Sequence, residues 1–267
     1  MPLNSSRSAL AATFDPDQTD RPAHALQLDF RELDLEVPVH KHRKAQLVVA
    51  LHGAVTCEAA GARWMVPPHC GVWIPSNVPH SNLATSNARL LHLFIEPSAA
   101  TALPGECCTL SLSPMVSEMI QRLAVSDPFY EPGSQTDLCA KALIGELALM
   151  PKEDLHLPVS AHPKIRQIVD ALTASPDDRS TIGQWASRLA MSERSLARLV
   201  ATETGLSFGR WRQQLHLIVA LRELASGATV QNVSDKLGYE SVTAFITMFK
   251  KALGSTPGKY FANRRTS

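Results

Sequence analysis

The spacing of apolar residues changes period once along this chain. Between residues 26 and 96 they come in short runs separated by turn residues. QLVVALHG closes on Gly53, WMVPPHCGVWIPSNVPH is dense in Pro and Gly, and ARLLHLFIEP follows. Short runs at even spacing predict the strands of a small barrel or sandwich. From about residue 113 the period is that of a helix. SPMVSEMIQRLA places Met115, Val116, Met119, Ile120 and Leu123 on one face, with Ser113 as N-cap ahead of Pro114. TDLCAKALIGELALM predicts a second helix whose apolar stripe carries Leu138, Ala142, Leu143 and Leu147. Such helices pack either on the barrel or on a second subunit. PKEDLHLPVSAHP, with three prolines, reads as a linker.

Beyond residue 162 the pattern is helical throughout and contains a repeat. Counted from Ser192 in one copy and Ser241 in the other, the offset is 49 residues. Leu196, Leu199 and Val200 answer to Phe245, Met248 and Phe249, Gly205 to Gly254, Ser207 to Thr256, and Trp211 to Tyr260. Each copy has the anatomy of a helix-turn-helix. Ile182, Trp185, Ala186 and Leu189 form the buried face of a first helix, Ala190 and Met191 a short turn, and Ser192 the cap of the next. The free face of that second helix carries Arg194, Ser195, Ala197 and Arg198. In the other copy Val230, Val233 and Leu237 support, Gly238 stops the helix and Ser241 caps the next. Its free face carries Val242, Thr243, Ile246 and Thr247. SFGRWRQQLHLIVALRELAS forms one long helix between the two units.

Composition sharpens this division. Residues 1–161 hold 11 Lys and Arg against 17 Asp and Glu, a net of −6, whereas residues 162–267 hold 15 against 8, a net of +7. A basic helical segment behind an acidic one is the footprint of a nucleic-acid-binding module. With 45% hydrophobic and 19% charged residues the chain is globular rather than disordered. No apolar run reaches the ~20 residues that span a bilayer. The polar start MPLNSSRSALAATFDPDQTD lacks a signal core, so a disordered leader and a cytoplasmic location are expected. Five cysteines without a CxxC pair point to neither a disulfide framework nor a zinc knuckle. The expected organisation is a leader over 1–25, a sheet-rich unit over 26–150, a linker over 151–161 and a DNA-binding unit over 162–267.

Residues 162–263 resemble the DNA-binding domain of the AraC/XylS family of bacterial transcription regulators. The resemblance rests on MSERSLARLVATETGLSFGRWRQQLHLIVALRELA and LGYESVTAFITMFKKALGSTPGKYF. It implies a sequence-specific regulator in which Arg194 and Arg198 reach base edges and Ser195 a base or a phosphate, with Ser241, Thr243 and Thr247 as DNA-binding candidates of the second unit. Arg bridges guanine O6 and N7 with two hydrogen bonds. Arg210, Arg212, Lys250 and Lys251 would touch phosphate, which gives affinity and salt dependence but no sequence information. Val242 and Ile246 imply apolar readout in the second helix. Double-stranded promoter DNA, a homodimeric partner and, for an activator, RNA polymerase are the implied partners.

PVHKHRKAQ poses a separate question. In a strand His40 and His42 share a face, and two imidazoles on one face can share a metal. The N-terminal half of many family members is a cupin-like barrel, and VHKHRKAQ with PSNVPHS resembles two cupin motifs. The implied ligand set is His40, His42, Gln46 and His80, with Gln46 in place of the usual Glu. Zn, Ni, Fe or Cu would suit three imidazoles. Lys41, Arg43 and Lys44 would instead favour an anionic effector. His52, His69 and His92 are further pocket candidates, and Trp64 and Trp73 read as core. The readings that compete are an effector-sensing barrel, a metal-dependent cupin enzyme with an appended DNA-binding domain, and a barrel whose histidines are structural. A thiol sensor built on Cys107 and Cys108, or on Cys70, is a further alternative. The expected fold class is α+β in two domains: a cupin-like β-barrel with helices, then an all-α double helix-turn-helix domain.

Overall fold

The computed structural model describes residues 14–29, 35–52, 55–66, 70–84, 88–153, 156–158, 160 and 162–262. The chain forms two compact units: Met1–Ala60 with Val66–Asp154, and Gly61–Met65 with Leu155–Ser267. Among the described residues no helix is long and apolar enough to cross a membrane.

The first unit is built on two antiparallel sheets. The strands are β1 (Ala23–Asp29), β2 (Leu35–His40), β3 (Ala45–His52), β4 (Val55–Ala59), β6 (Cys70–Ile74), β7 (His80–Ala84), β8 (Arg89–Ile95), β9 (Cys108–Ser111) and β10 (Lys152–Glu153). One sheet runs β1-β8-β3-β6-β9-β10 and the other contains β2, β7 and β4 side by side. Alternation along β3 and β8 sorts the side chains. Leu47, Val49, Leu91 and Leu93 face one way, into a core with Val116, Ile120 and Leu123 of α1 (Pro114–Ala124) and Ala140, Leu143, Ile144 and Leu147 of α2 (Gln135–Leu147). The intervening Gln46, Val48, His92 and Phe94 face the opposite side and are also buried.

Ser113 caps α1 as expected, accepting the N–H of Val116 ahead of Pro114. The stripe of α2 is rotated from the expected one. Ala140, Leu143, Ile144 and Leu147 are buried at i, i+3, i+4, i+7, while Leu138 is 59% exposed and Ala142 lies outside. Asp137, also buried, accepts from the backbone of Gly133 and from Lys141 within the start of the helix. Met115 is likewise turned outward.

The leader was expected to run through residue 25, and this is corrected. Thr19, Ala23 and His24 are buried, and β1 pairs with β8 from Ala23 onward. The cause is packing: His24 stacks on Phe94 at 5.3 Å, Phe14 contacts both rings, and the Tyr130 hydroxyl donates to the Ala23 carbonyl. Residues 1–13 lie outside the described residues, as does His69.

The second unit contains α3 (Pro163–Ala174), α4 (Ile182–Arg188), α5 (Glu193–Thr204), α6 (Phe208–Ala225), α7 (Val230–Lys236), α8 (Val242–Leu253) and α9 (Pro257–Ala262). It also holds β5 (Ala62–Val66), which pairs antiparallel with β11 (His156–Pro158). The stretch expected as a linker thus contains the strands β10 and β11. Trp64 stacks on His156 at 4.7 Å, and Trp211 donates its indole N–H to the Pro158 carbonyl, tying β11 to α6.

Candidate functional sites

The repeat becomes two like arrangements, each a short helix followed by a 12-residue helix. Ser192 accepts the N–H of Ser195 to start α5, and Ser241 accepts that of Ala244 to start α8. Both helices end on a left-handed glycine, Gly205 at φ 71° and Gly254 at φ 74°. A Cβ there would strain the backbone, so glycine is the residue that fits. Leu196 and Val200 are buried under α5, and Phe245 and Phe249 under α8. Each supporting helix is capped by threonine, with Thr181 and Gln184 forming a reciprocal capping box at α4.

The outward faces follow. Arg194, Ala197 and Arg198 are exposed on α5 and Ser195 is half-buried. On α8 Thr243 and Thr247 are exposed and Val242 and Ile246 half-buried, with Thr247 donating its hydroxyl to the Thr243 carbonyl. Arg210, Lys250 and Lys251 are exposed. Arg212 differs from the other basic candidates. Its guanidinium lies 5.5 Å from the Phe208 ring centre and donates to the Ser180 carbonyl at 2.9 Å. It braces the start of α6 against the loop before α4.

In the first unit, β2 and β7 bring three histidines together. His40 pairs across from His80 in the ladder, and His42 follows just beyond the end of β2. One ring nitrogen from each of His40, His42 and His80 lies within 4.8 Å of the others. All three rings are anchored alike, through Nδ1. Nδ1 of His40 is 2.9 Å from the Pro38 carbonyl, Nδ1 of His42 is 2.7 Å from that of Lys44, and Nδ1 of His80 is 2.9 Å from that of Val78. A carbonyl only accepts, so each Nδ1 carries a proton, and the lone pair available to a metal is the one on Nε2. His80 Nε2 is buried with no hydrogen-bond partner. Burial holds the His80 imidazole neutral, pushing its pKa down to about 4.

Gln46, expected beside these three as a ligand, is engaged elsewhere. Its Oε1 lies 3.2 Å from His42 Nε2 and its Nε2 2.6 Å from His92 Nδ1. Arg43 and Lys44, beside the motif, are also spoken for. Arg43 pairs with Glu96 and Asp20, and buried Lys44 lies 3.6 Å from Glu96 and donates to the Arg21 carbonyl. The positive charge of Arg43 and Lys44, which would oppose a cation here, is thus paired within the fold, while Lys41 is exposed. The same pairing withdraws Arg43 and Lys44 from an anionic effector.

Of the remaining candidates, His52 is exposed at the end of β3, and Trp64 and Trp73 are core residues. His92 is part of the interior through its bond to Gln46, a pairing of residues 46 apart in sequence. Cys57, Cys70, Cys107 and Cys108 are buried and form no disulfide. Burial pushes the Cys107 thiol up to about 11, and Cys57 and Cys108 are raised as well. These are properties of unreactive cysteine.

Comparison with known proteins agrees with both halves. Residues 28–148 match the AraC-like ligand binding domain and residues 185–263 a helix-turn-helix domain. The chain is 51% identical over 253 residues to the HTH-type transcriptional regulator NimR of Escherichia coli (strain K12), covering 95% of this chain and 92% of that one. It is 27% identical over 188 residues to the transcriptional activator NphR of Rhodococcus sp, covering 70% of this chain and 52% of that one. The crystal structure of unsaturated fatty acid bound ToxT from Vibrio cholerae aligns with 89% of this chain and 93% of its own, at 9% identity and a TM-score of 0.38. The cupin-enzyme alternative finds no support among these relatives. With an AraC-like ligand binding domain in front of a duplicated helix-turn-helix, the chain belongs to the AraC family of transcription regulators.

Proposed function

We propose that α5 and α8 are the recognition helices of this regulator and that α5 supplies most of its base readout. The observation that carries this reading is the free face of α5, where Arg194 and Arg198 stand exposed on a capped helix supported by α4. Two arginines one helical turn apart suit bidentate contact with guanine. Ser195 and Ser241 lie at the helix starts, where hydroxyls meet phosphate or base edges. Thr243 and Thr247, flanked by Val242 and Ile246, suit thymine methyls better than hydrogen-bonding base edges. Arg210, Lys250 and Lys251 serve phosphate. At ~1.5 Å per residue the 18-residue α6 extends about 27 Å, compatible with successive major grooves about 34 Å apart.

The first unit is read as the effector domain, with His40, His42 and His80 as a site for a divalent transition metal. Three imidazoles with Nδ1 anchored on backbone carbonyls fit Zn, Ni, Fe or Cu, and that anchoring is the usual outer support of a metal-bound histidine. Met115, Phe129 and Leu138, exposed on or between α1 and α2, support a homodimer. An activating role would add RNA polymerase as a partner.

The test is a fluorescence-anisotropy titration of the full chain with DNA flanking its own gene, at two salt concentrations and against scrambled competitor, with and without Zn²⁺ or Ni²⁺. Binding that resists competitor and is lost in Arg194→Ala and Arg198→Ala is expected. Binding unaffected by both substitutions would sink the assignment of α5.

A further inference from the structure

We infer that Gln46 is a relay of the histidine site rather than one of its ligands: its amide holds His42 Nε2 in the metal-free protein and gives it up to an arriving ion. The inference rests on the metal reading above and adds how the site would report occupancy.

Three observations carry it. First, the ligand atoms are not equivalent. His80 Nε2 has no partner, whereas His42 Nε2 already faces the Gln46 amide at 3.2 Å. Second, the proton on His42 is fixed at Nδ1 by the Lys44 carbonyl at 2.7 Å. As placed, Gln46 Oε1 faces His42 Nε2 and Gln46 Nε2 faces His92 Nδ1. In the neutral ring that a metal requires, the lone pair on His42 Nε2 calls for a donor, so the amide is turned over, its NH₂ toward His42 and its oxygen accepting the Nδ1–H of His92. The two ends of an amide are distinguished by such a network and not by shape. Third, Gln46 and His92 are 2% and 7% exposed, so neither has water to fall back on.

One lone pair cannot accept from an amide and bind a metal together. An ion on His42 thus expels the Gln46 NH₂ and leaves a buried donor unpaired, a state that folded proteins avoid. Relief requires the Gln46–His92 pair to move. Its members sit on β3 and β8, whose next residues, Leu47, Leu91 and Leu93, form the core under α1 and α2. A side-chain exchange at the histidines therefore acts on the strands that carry those helices. The distance of 2.6 Å to His92 gives Gln46 a partner to remain anchored to while it leaves His42.

The experiment is a Zn²⁺ titration of the full chain against a competing chelator dye, for wild type, Gln46→Met and His40→Ala. In parallel, the Gln46 side-chain amide is followed by NMR, assigned by its loss in Gln46→Met. The expected results are roughly 2- to 10-fold tighter Zn²⁺ binding in Gln46→Met, the worth of one hydrogen bond removed from the free state, and a shift of the wild-type amide resonance on saturation. Weaker binding in Gln46→Met would make Gln46 a ligand and overturn the relay alone. So would an amide resonance that stays fixed while Zn²⁺ binds through His40. Wild type that binds Zn²⁺ no better than His40→Ala would overturn the metal reading and the relay together. The NMR arm reads wild type, so it stands even if the variant folds poorly.

Discussion

Ser192 Oγ accepts the backbone N–H of Ser195 at 3.1 Å while its own hydrogen points to the Ser195 hydroxyl 2.8 Å away. One side chain therefore both starts α5 and orients a neighbour on its free face. Ser192→Ala is expected to destabilise the second unit by about 0.5–2 kcal/mol, the usual cost of a lost cap. Ser195→Ala leaves the cap in place and should change stability far less. Urea denaturation of the two variants measures the difference, and equal losses would assign the stabilisation to the hydroxyl pair instead.

Arg194 and Arg198 should be separable from the phosphate contacts by their salt dependence. Loss of a bidentate guanine contact costs ~1–3 kcal/mol and relaxes preference at one base pair. Lys250→Ala or Lys251→Ala should weaken all sequences alike and flatten the dependence of log K on log salt by about one contact. Arg212→Ala is expected to act on stability rather than on that slope, because its guanidinium already serves Ser180 and Phe208.

The first unit should loosen in acid. Burial pushes His24 and His92 down to about 3, whereas an unfolded chain takes up those protons near pH 6.5. The folded state binds fewer protons in that window. Its stability is complete above about pH 6.5 and drains as pH falls toward 3. His24→Phe keeps a ring against Phe94 and removes an imidazole whose two nitrogens have no partner. Its acid-unfolding midpoint, followed by tryptophan fluorescence, should move to lower pH. A midpoint that stays in place would mean another group triggers the transition.

Thiol labelling should single out Cys139. It is half-buried on α2, while Cys57, Cys70, Cys107 and Cys108 are buried. A disulfide reagent at neutral pH is expected to modify one cysteine in the native protein and the remainder on adding denaturant. Fast native labelling of Cys107 or Cys108 would revive the thiol-sensor alternative.

The second unit was legible in the sequence because its determinants are local. A cap, a helical stripe and a terminal glycine lie within one or two turns of each other, and the offset between Ser192 and Ser241 repeats them. The histidine site was legible only in part. His40 and His42 are neighbours in sequence, and PSNVPHS supplied His80 through family resemblance. The engagement of Gln46 was not, because its partner His92 arrives by the antiparallel register of β3 with β8, where Gln46 stands opposite Phe94 and Val48 opposite His92. Composition also misled at the N-terminus. Asp15, Asp17 and Asp20 look like solvated charges, yet Asp17 accepts the backbone N–H groups of Arg43 and Lys44. The expected stripe of α2 missed Ala140 and Ile144, which are buried while Leu138 and Ala142 are exposed.

The pairing of β5 with β11 bears on how this protein can be cut and recombined. Gly61–Met65 groups with Leu155–Ser267, so the second unit is not one continuous stretch of chain. An expression fragment that begins at residue 155 keeps every helix of the duplicated motif. It also leaves β11 with a bare hydrogen-bonding edge and His156 without the indole of Trp64. Chimeras that graft this half onto a foreign receiver inherit the same defect. Modularity that looks complete along the sequence is interleaved by one strand in space, and a transplant that carries residues 61–66 as well is the one expected to stay monodisperse.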